Sequence, residues 1–281
     1  MRTSHRFGAL GAVVLAAWLT AAGATPARLP DIVALVPSFT EDLFAIGAGS
    51  QVVGVSVFTD YPPAATQLPV VASFAAVDSE RVAALQPDLV VGIPAQAAQL
   101  AELQRLGLRT ELLPDDSYEQ IFSDLIALGK LSGHAAAAQR LAANLRAQTS
   151  QLVARVRGRS RPRCLVVLGV APTYTVGDRS YIAQLIALAG GRNAARLGTA
   201  YGHYSDEAVV AAQPDVIVTD RASGLNGVLG RPPWSLLRAV RAHRVYTIDN
   251  PDLLERPGPR YNQGLAWLIA HLQLAAANPH A

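Results

Sequence analysis

The 281-residue sequence predicts an α/β protein of two Rossmann-like lobes with mostly parallel sheets, joined by one long helix. Three observations carry this reading. First, β-branched runs alternate with helical stretches in both halves, as in strand–helix units built on a parallel sheet. Second, one stretch occurs twice. Ser79 to Val91 and Asp206 to Val218 each run glutamate, a short apolar-periodic helix, Gln-Pro-Asp and a β-branched segment. Proline suits neither a helix interior nor a central strand, so it marks the turn between them. A unit repeated 127 positions on, from Glu80 to Glu207, implies two similar lobes. Third, residues 135–157 are Ala-rich, lack Gly and Pro, and carry Leu141, Leu145, Leu152 and Val156 at helical spacing. A helix of that length spans about 34 Å, enough to cross between lobes.

The expected division is a leader over 1–24, a first lobe over 25–133, a connecting helix over 134–159 and a second lobe over 160–281. Arg2, His5 and Arg6 give a basic start, Gly8 to Ala22 is apolar, and Ala22-Gly23-Ala24 has the small-x-small cleavage pattern. The apolar run is shorter than the ~20 residues of a spanning helix, which favours a cleaved signal and a periplasmic product. No cysteine follows it, so no lipid attachment is expected. Removing the leader leaves 22 basic against 21 acidic residues, and no Lys/Arg cluster with interleaved aromatics occurs, so nucleic-acid binding is not expected. A lone Cys164 excludes an intrachain disulfide framework; at the head of an apolar run it reads as a small buried hydrophobe.

Within the first lobe, Ile32 to Val36 is a buried strand ending at Pro37. Ser38-x-x-Glu41 has the spacing of a capping box ahead of a helix from Glu41 to about Ile46. Gln51 to Val57 is a strand, Thr59 to Pro63 a loop, and Val70 to Phe74 leads into the first twin stretch. Arg109 to Leu113 is strand-like, and Ser117-x-x-Gln120 opens a helix to about Lys130. In the second lobe Cys164 to Val170 is a strand and Ala171 to Tyr174 a loop. Tyr181 to Leu188 is a helix closed by Gly190-Gly191, and Tyr201, His203 and Tyr204 lie in a loop before the second twin stretch. Val245 to Ile248 is a strand, and Tyr261 to Ala275 the closing helix.

Motifs of catalysis are missing from the sequence. It contains no Gly-x-Ser-x-Gly, no His-Glu-x-x-His and no phosphate loop, and its histidines are scattered. We therefore expect no catalytic residues, no metal centre and no cofactor. Loops at strand ends are where α/β sheets bind ligands, and those loops hold Tyr61, Phe74, Tyr174, Tyr201, His203 and Tyr204. That concentration of rings suits a large flat or amphipathic ligand held by stacking in a cleft between the lobes. His203, or one of the second-lobe tyrosines, could also ligate a metal carried by the ligand. Glu80 and Glu207 each stand in the first turn of a helix, where a carboxylate suits the macrodipole. Their matched placement also suits docking to a partner with two basic sites. Two other readings share the scaffold. A secreted hydrolase or metal-dependent enzyme predicts acid/base groups with shifted pKa values converging in the cleft. A scavenger or sensor that docks to no partner would need the cleft but not the glutamates.

Taken together, Ile32 to Glu41, Gly54-Val55-Ser56, Asp60-Tyr61-Pro62-Pro63, the first twin stretch and Glu255-Arg256-Pro257-Gly258-Pro259-Arg260 resemble the helical-backbone class of periplasmic binding proteins. Those proteins serve ATP-binding-cassette importers for cobalamin, haem and ferric siderophores. The resemblance covers about residues 30–275 and is nearest to the cobalamin-binding members. It implies a monomeric receptor that hands a corrinoid to a two-subunit inner-membrane permease with its ATPase; haem or a ferric siderophore is the alternative cargo. It further implies that Tyr61, Phe74 and Tyr174 line the cleft, with Tyr201, His203 or Tyr204 near a missing tryptophan. Ile93 stands where another tryptophan is usual. Glu80 and Glu207 match the family's permease-docking glutamates.

Overall fold

Two twisted sheets flank a central layer of helices in the computed structural model, which describes residues 28–73 and 76–277. The leader and Phe74 lie outside the described residues. The first sheet is built from β1 (Ile32–Ala34), β2 (Val52–Ser56), β3 (Val70–Ala72), β4 (Leu89–Gly92) and β5 (Thr110–Leu112). They are ordered β3-β2-β1-β4-β5 and every pairing is parallel. Helices α1 (Pro37–Ala45), α2 (Ser79–Ala84) and α3 (Ala97–Arg105) connect them. Strand order reverses beside β1, so the carboxyl ends of β1 and β4 open into a crevice.

The chain then runs through α4 (Tyr118–Leu131) and α5 (Ala135–Ala154) into β6 (Arg163–Val170). At 1.5 Å per residue α5 is about 30 Å long. The second sheet continues with β7 (Thr173–Val176), β8 (Arg192–Asn193), β9 (Tyr201–His203), β10 (Val216–Thr219) and β11 (Val245–Thr247). Its order is β11-β10-β6-β7-β9, with β8 beside the first residues of β6. Helices α6 (Tyr181–Leu188), α7 (Asp206–Ala212), α8 (Arg238–Arg241), α9 (Asp252–Glu255) and α10 (Tyr261–Ala277) complete the chain.

Two segments read as loops in the sequence are strands. Thr173–Val176 turns back antiparallel on β6, and Tyr201–His203 pairs antiparallel with it. Thr, Tyr and Val favour a pleated surface; β7 folds straight back on β6 through a tight turn, whereas β9 pairs with a segment far back in the chain, which leaves no local trace in sequence. The expected helix start at Glu41 is also corrected. Helix α1 begins at Pro37 with its fixed φ, Val36 is the N-cap, and no side chain caps it.

The repeated stretch proves to be a repeated structure. In each copy a short helix ends at a glutamine with left-handed backbone, Gln86 at φ +48° and Gln213 at φ +38°. The aspartate that follows ties the turn to the head of the central strand. The Asp31 N–H donates to Asp88 Oδ2 at 2.7 Å, and the Arg163 N–H to Asp215 Oδ2 at 2.8 Å. The same carboxylate thus locks α2 onto β1 and α7 onto β6.

The lobes share one core. A continuous buried cluster runs from Ile32, Phe39 and Leu125 through Leu145 and Tyr261 to Val166, Ile182 and Val218. Tyr261 binds α5 directly: its hydroxyl lies 2.5 Å from Thr149 Oγ1. Cys164 is fully buried in this cluster, and burial pushes its thiol up to about 12, so it packs as a hydrophobe.

Candidate functional site

A cavity of about 390 Å³ opens between the two sheets. The first lobe contributes Ile93, just after β4, and Asp115 and Asp116, just after β5. The second contributes Leu168 near the end of β6, Tyr174 of β7, Tyr181 of α6, Tyr201 of β9, and Glu255 and Pro257 at the end of α9. The cavity therefore sits at the carboxyl ends of the parallel strands, where doubly wound sheets bind ligands.

Antiparallel pairing aims the rings. Tyr174 lies opposite His203 and Val176 opposite Tyr201, so one pleat face carries Tyr174, Tyr201 and His203. The Tyr174 and His203 rings meet edge-on at 5.3 Å. Tyr204, one residue beyond the strand, turns the other way. It packs on the outer core of the second lobe and lines a different cavity. Tyr61 is not on the cavity wall; its ring lies beneath the Arg260 guanidinium, 4.0 Å from the ring centre.

The chemistry of the cavity is acidic. Burial, followed by the neighbouring Asp116 charge, pushes Asp115 up to about 6. Burial, then Asp220 and Asp252, pushes Glu255 up to about 7. Tyr201 rises to about 12, first through burial and then through the negative fields of Glu255 and Asp115, so its hydroxyl keeps its proton. Tyr181 is 2% exposed, and its hydroxyl finds no partner among the described residues.

Cations stand nearby but are already occupied. Arg260 makes a two-pronged pair with Glu41 at 2.6 and 2.7 Å. Arg256 reaches Glu41 at 3.1 Å, Asp60 at 2.7 Å and the Phe58 carbonyl at 2.8 Å. Burial works against the Asp60 charge, but its bond with Arg256 wins and holds the carboxyl below its ordinary value. Glu41, whose side chain is 1% exposed, is therefore an ion-pair anchor between the late loop and α1 rather than a helix cap. Among the described residues no group of three or more His, Cys, Asp or Glu side chains could hold a metal.

Glu80 and Glu207 occupy the second position of α2 and α7, and both are exposed. The preceding caps also match: Asp78 accepts from the Arg81 N–H and Ser205 from the Ala208 N–H. Its own backbone amide and the Ser205 hydroxyl hold the Glu207 carboxyl below its ordinary value, keeping it charged.

Aromatic composition points to Tyr174 and Tyr201 but not to the acids. Asp115 and Asp116 directly follow the strand-like Arg109–Leu113 run, so their place at a strand end was a usable signal. Glu255 opens the motif that carried the family resemblance, yet nothing local shows that it faces a cavity.

Comparison with known proteins agrees with this architecture. Residues 32–251 match the family described as periplasmic binding protein. The uncharacterized ABC transporter substrate-binding lipoprotein YvrC of Bacillus subtilis is 30% identical over 243 residues, 83% of this chain and 77% of the relative. The crystal structure of the periplasmic vitamin B12 binding protein BtuF of Vibrio cholerae superposes with TM-score 0.79 at 29% identity, covering 88% of this chain and 98% of that one. The periplasmic heme-binding protein RhuT from Roseiflexus sp. RS-1, in apo form, gives TM-score 0.80 at 29% identity, over 89% and 100% of the two chains. With two strand-switched sheets, a cleft at their carboxyl ends and a family match over well over half its length, this chain belongs to the periplasmic binding protein family of ABC importers.

Proposed function

We propose that this protein captures a corrinoid in the cleft and delivers it to an inner-membrane permease and ATPase. The observation that supports this cargo is the charge of the cavity. Asp115, Asp116 and Glu255 line it, while Arg256 and Arg260 are spent on Glu41 and Asp60. A corrinoid is fringed with carboxamides, whose N–H groups donate to carboxylates. Haem carries two propionates, which would meet repulsion here and no free guanidinium on the wall. Tyr174 and Tyr201 supply the flat apolar contact.

Haem is the second reading, favoured by the His203 ring standing edge-on against Tyr174 of the cavity wall and by the heme-binding relative. Purified mature protein titrated with cyanocobalamin and, separately, with haemin decides between them. Micromolar calorimetric binding of cyanocobalamin is expected. A Soret band abolished by His203→Ala, with no corrinoid heat, would assign haem instead.

We further propose that the protein performs no chemistry. The paired raised carboxyls, Asp115 and Glu255, are the pattern an enzyme would show, but burial and neighbouring acids account for both shifts, and among the described residues no metal-holding cluster accompanies them. Turnover of glycoside or ester substrates lost in Asp115→Asn would overturn this.

Glu80 and Glu207 are proposed to address the loaded protein to its permease, each exposed on a matched helix turn. Glu80→Arg with Glu207→Arg should abolish uptake and leave cargo affinity unchanged; retained uptake would remove the docking role. Wild-type docking should weaken with salt. No helix among the described residues is long and apolar enough to cross a membrane. Release to the periplasm by leader cleavage, without lipid attachment, is proposed on the lack of a cysteine behind the apolar run. The intact mass of the exported protein checks it.

A further inference from the structure

On the second lobe, behind α7, lies a cavity of about 440 Å³ that the cleft does not use. Its wall carries Arg163, Arg192 and Arg196, with the Tyr204 ring beside them. The face of α7 turned toward it presents Ala208, Ala211 and Ala212, and these small side chains leave the space open. The arginines are brought together by the sheet. Arg163 opens β6, Arg192 opens β8, and the parallel register sets the two directly side by side. Like charges at neighbouring sheet positions repel, and a third guanidinium adds to the positive field. Compensation within the fold is partial. Arg163 lies 3.6 Å from Asp215, but the other oxygen of that carboxylate is taken by Arg238. Arg192 and Arg196 have no carboxylate partner among the described residues, and no acid lines the cavity.

We propose that this cavity is a binding site for a phosphate-bearing anion, separate from the cargo cleft. Guanidinium forks match phosphate oxygens two by two, and their convergence supplies the charge that the fold itself leaves unbalanced. The alanine face and the Tyr204 ring leave room for a small apolar body attached to the phosphate. The source is either a free phosphorylated solute or the headgroup of an anionic phospholipid. This site does not depend on which cargo the cleft holds.

Inorganic pyrophosphate in a low-salt, phosphate-free buffer is the first probe, followed by vesicles of phosphatidylglycerol and of phosphatidylcholine. Saturable heat and a rise in melting temperature are expected for the intact protein, with affinity about tenfold weaker in the Arg192→Ala/Arg196→Ala variant. Both arginines are exposed, so that variant keeps the fold; an unchanged circular dichroism spectrum is the check. Co-sedimentation with phosphatidylglycerol alone, lost in the double variant, assigns the lipid headgroup, whereas pyrophosphate binding assigns a free solute. No response to either at about 10 mM anion overturns the proposal, since binding to the native state alone must raise stability. So does a response that the double variant shares.

Discussion

Asp115 and Glu255 set the chemistry of the cleft at the level of single residues. Their raised pKa values place their titration at about 6 and about 7. A cargo that donates carboxamide N–H groups prefers the ionised carboxylates. Its affinity should therefore rise with pH through that window and fall in acid. Haem would show the opposite trend, because protonating the wall relieves the repulsion of its propionates. Calorimetry at pH 5 and pH 8 reads the sign. A second residue tests stability rather than binding. Asp42 of α1 is fully buried, and neither carboxylate oxygen has a partner among the described residues. Burial, then Asp124 and Glu41, pushes its pKa well above the ordinary value. A carboxyl whose pKa is raised on folding contributes stability in acid and loses it as pH climbs above the unfolded value. Asp42→Asn should remove that loss and gain roughly 1–3 kcal/mol at neutral pH, shrinking toward zero near pH 4. Melting temperatures across pH 4–8 give the slope. For none of the three carboxyls is the shift legible in sequence, because a pKa depends on what the fold packs around the group.

Helix α2, the turn after it and β4 form an element that the sequence shows twice. Gln86 and Gln213 terminate α2 and α7 in the left-handed region, where a Cβ is disfavoured and glycine is the usual choice. Gln86 is exposed, so Gln86→Gly should relieve the strain without loss of packing. A gain of about 1 kcal/mol in chemical denaturation is expected, less whatever the freer unfolded chain takes back. The element was legible because its parts are local: a capped short helix, a proline stop and a β-branched run. The β6–β7–β9 arrangement was not. Ala171 to Tyr174 and Tyr201 to Tyr204 read as loops: Pro172 marks a tight turn that hides the return of β7 onto β6, and the partner that makes β9 a strand lies far back in the chain. That pairing decides that Tyr174 and Tyr201 face the cavity and that Tyr204 does not.

Across the whole molecule, the late loop is held to the first lobe by charge as well as by the shared core. Glu41 receives both Arg256 and Arg260, and all three side chains are largely withdrawn from water. Glu41→Gln leaves the Arg260 guanidinium without its counter-charge, while Arg256 keeps Asp60 and Asp252, and should cost roughly 3–5 kcal/mol, far above a surface pair. Denaturant unfolding measures it, and cargo affinity should fall too, because Glu255 sits next to Arg256. A continuous core through α5 and α10 points to small rearrangement on cargo binding rather than wide hinge closure. Sequence alone determined the two-lobe α/β plan, the twin helix–turn–strand units with Glu80 and Glu207 at their heads, and the aromatic character of the strand-end loops. These follow from periodicity, proline and capping chemistry, which act over a few residues. Only the tertiary structure decided which rings face the cleft, that acids rather than cations line it, and that Glu41 is an ion-pair anchor instead of a cap. Those outcomes depend on strand register and on partners such as Glu41 and Arg260, far apart in the chain and brought together by folding alone.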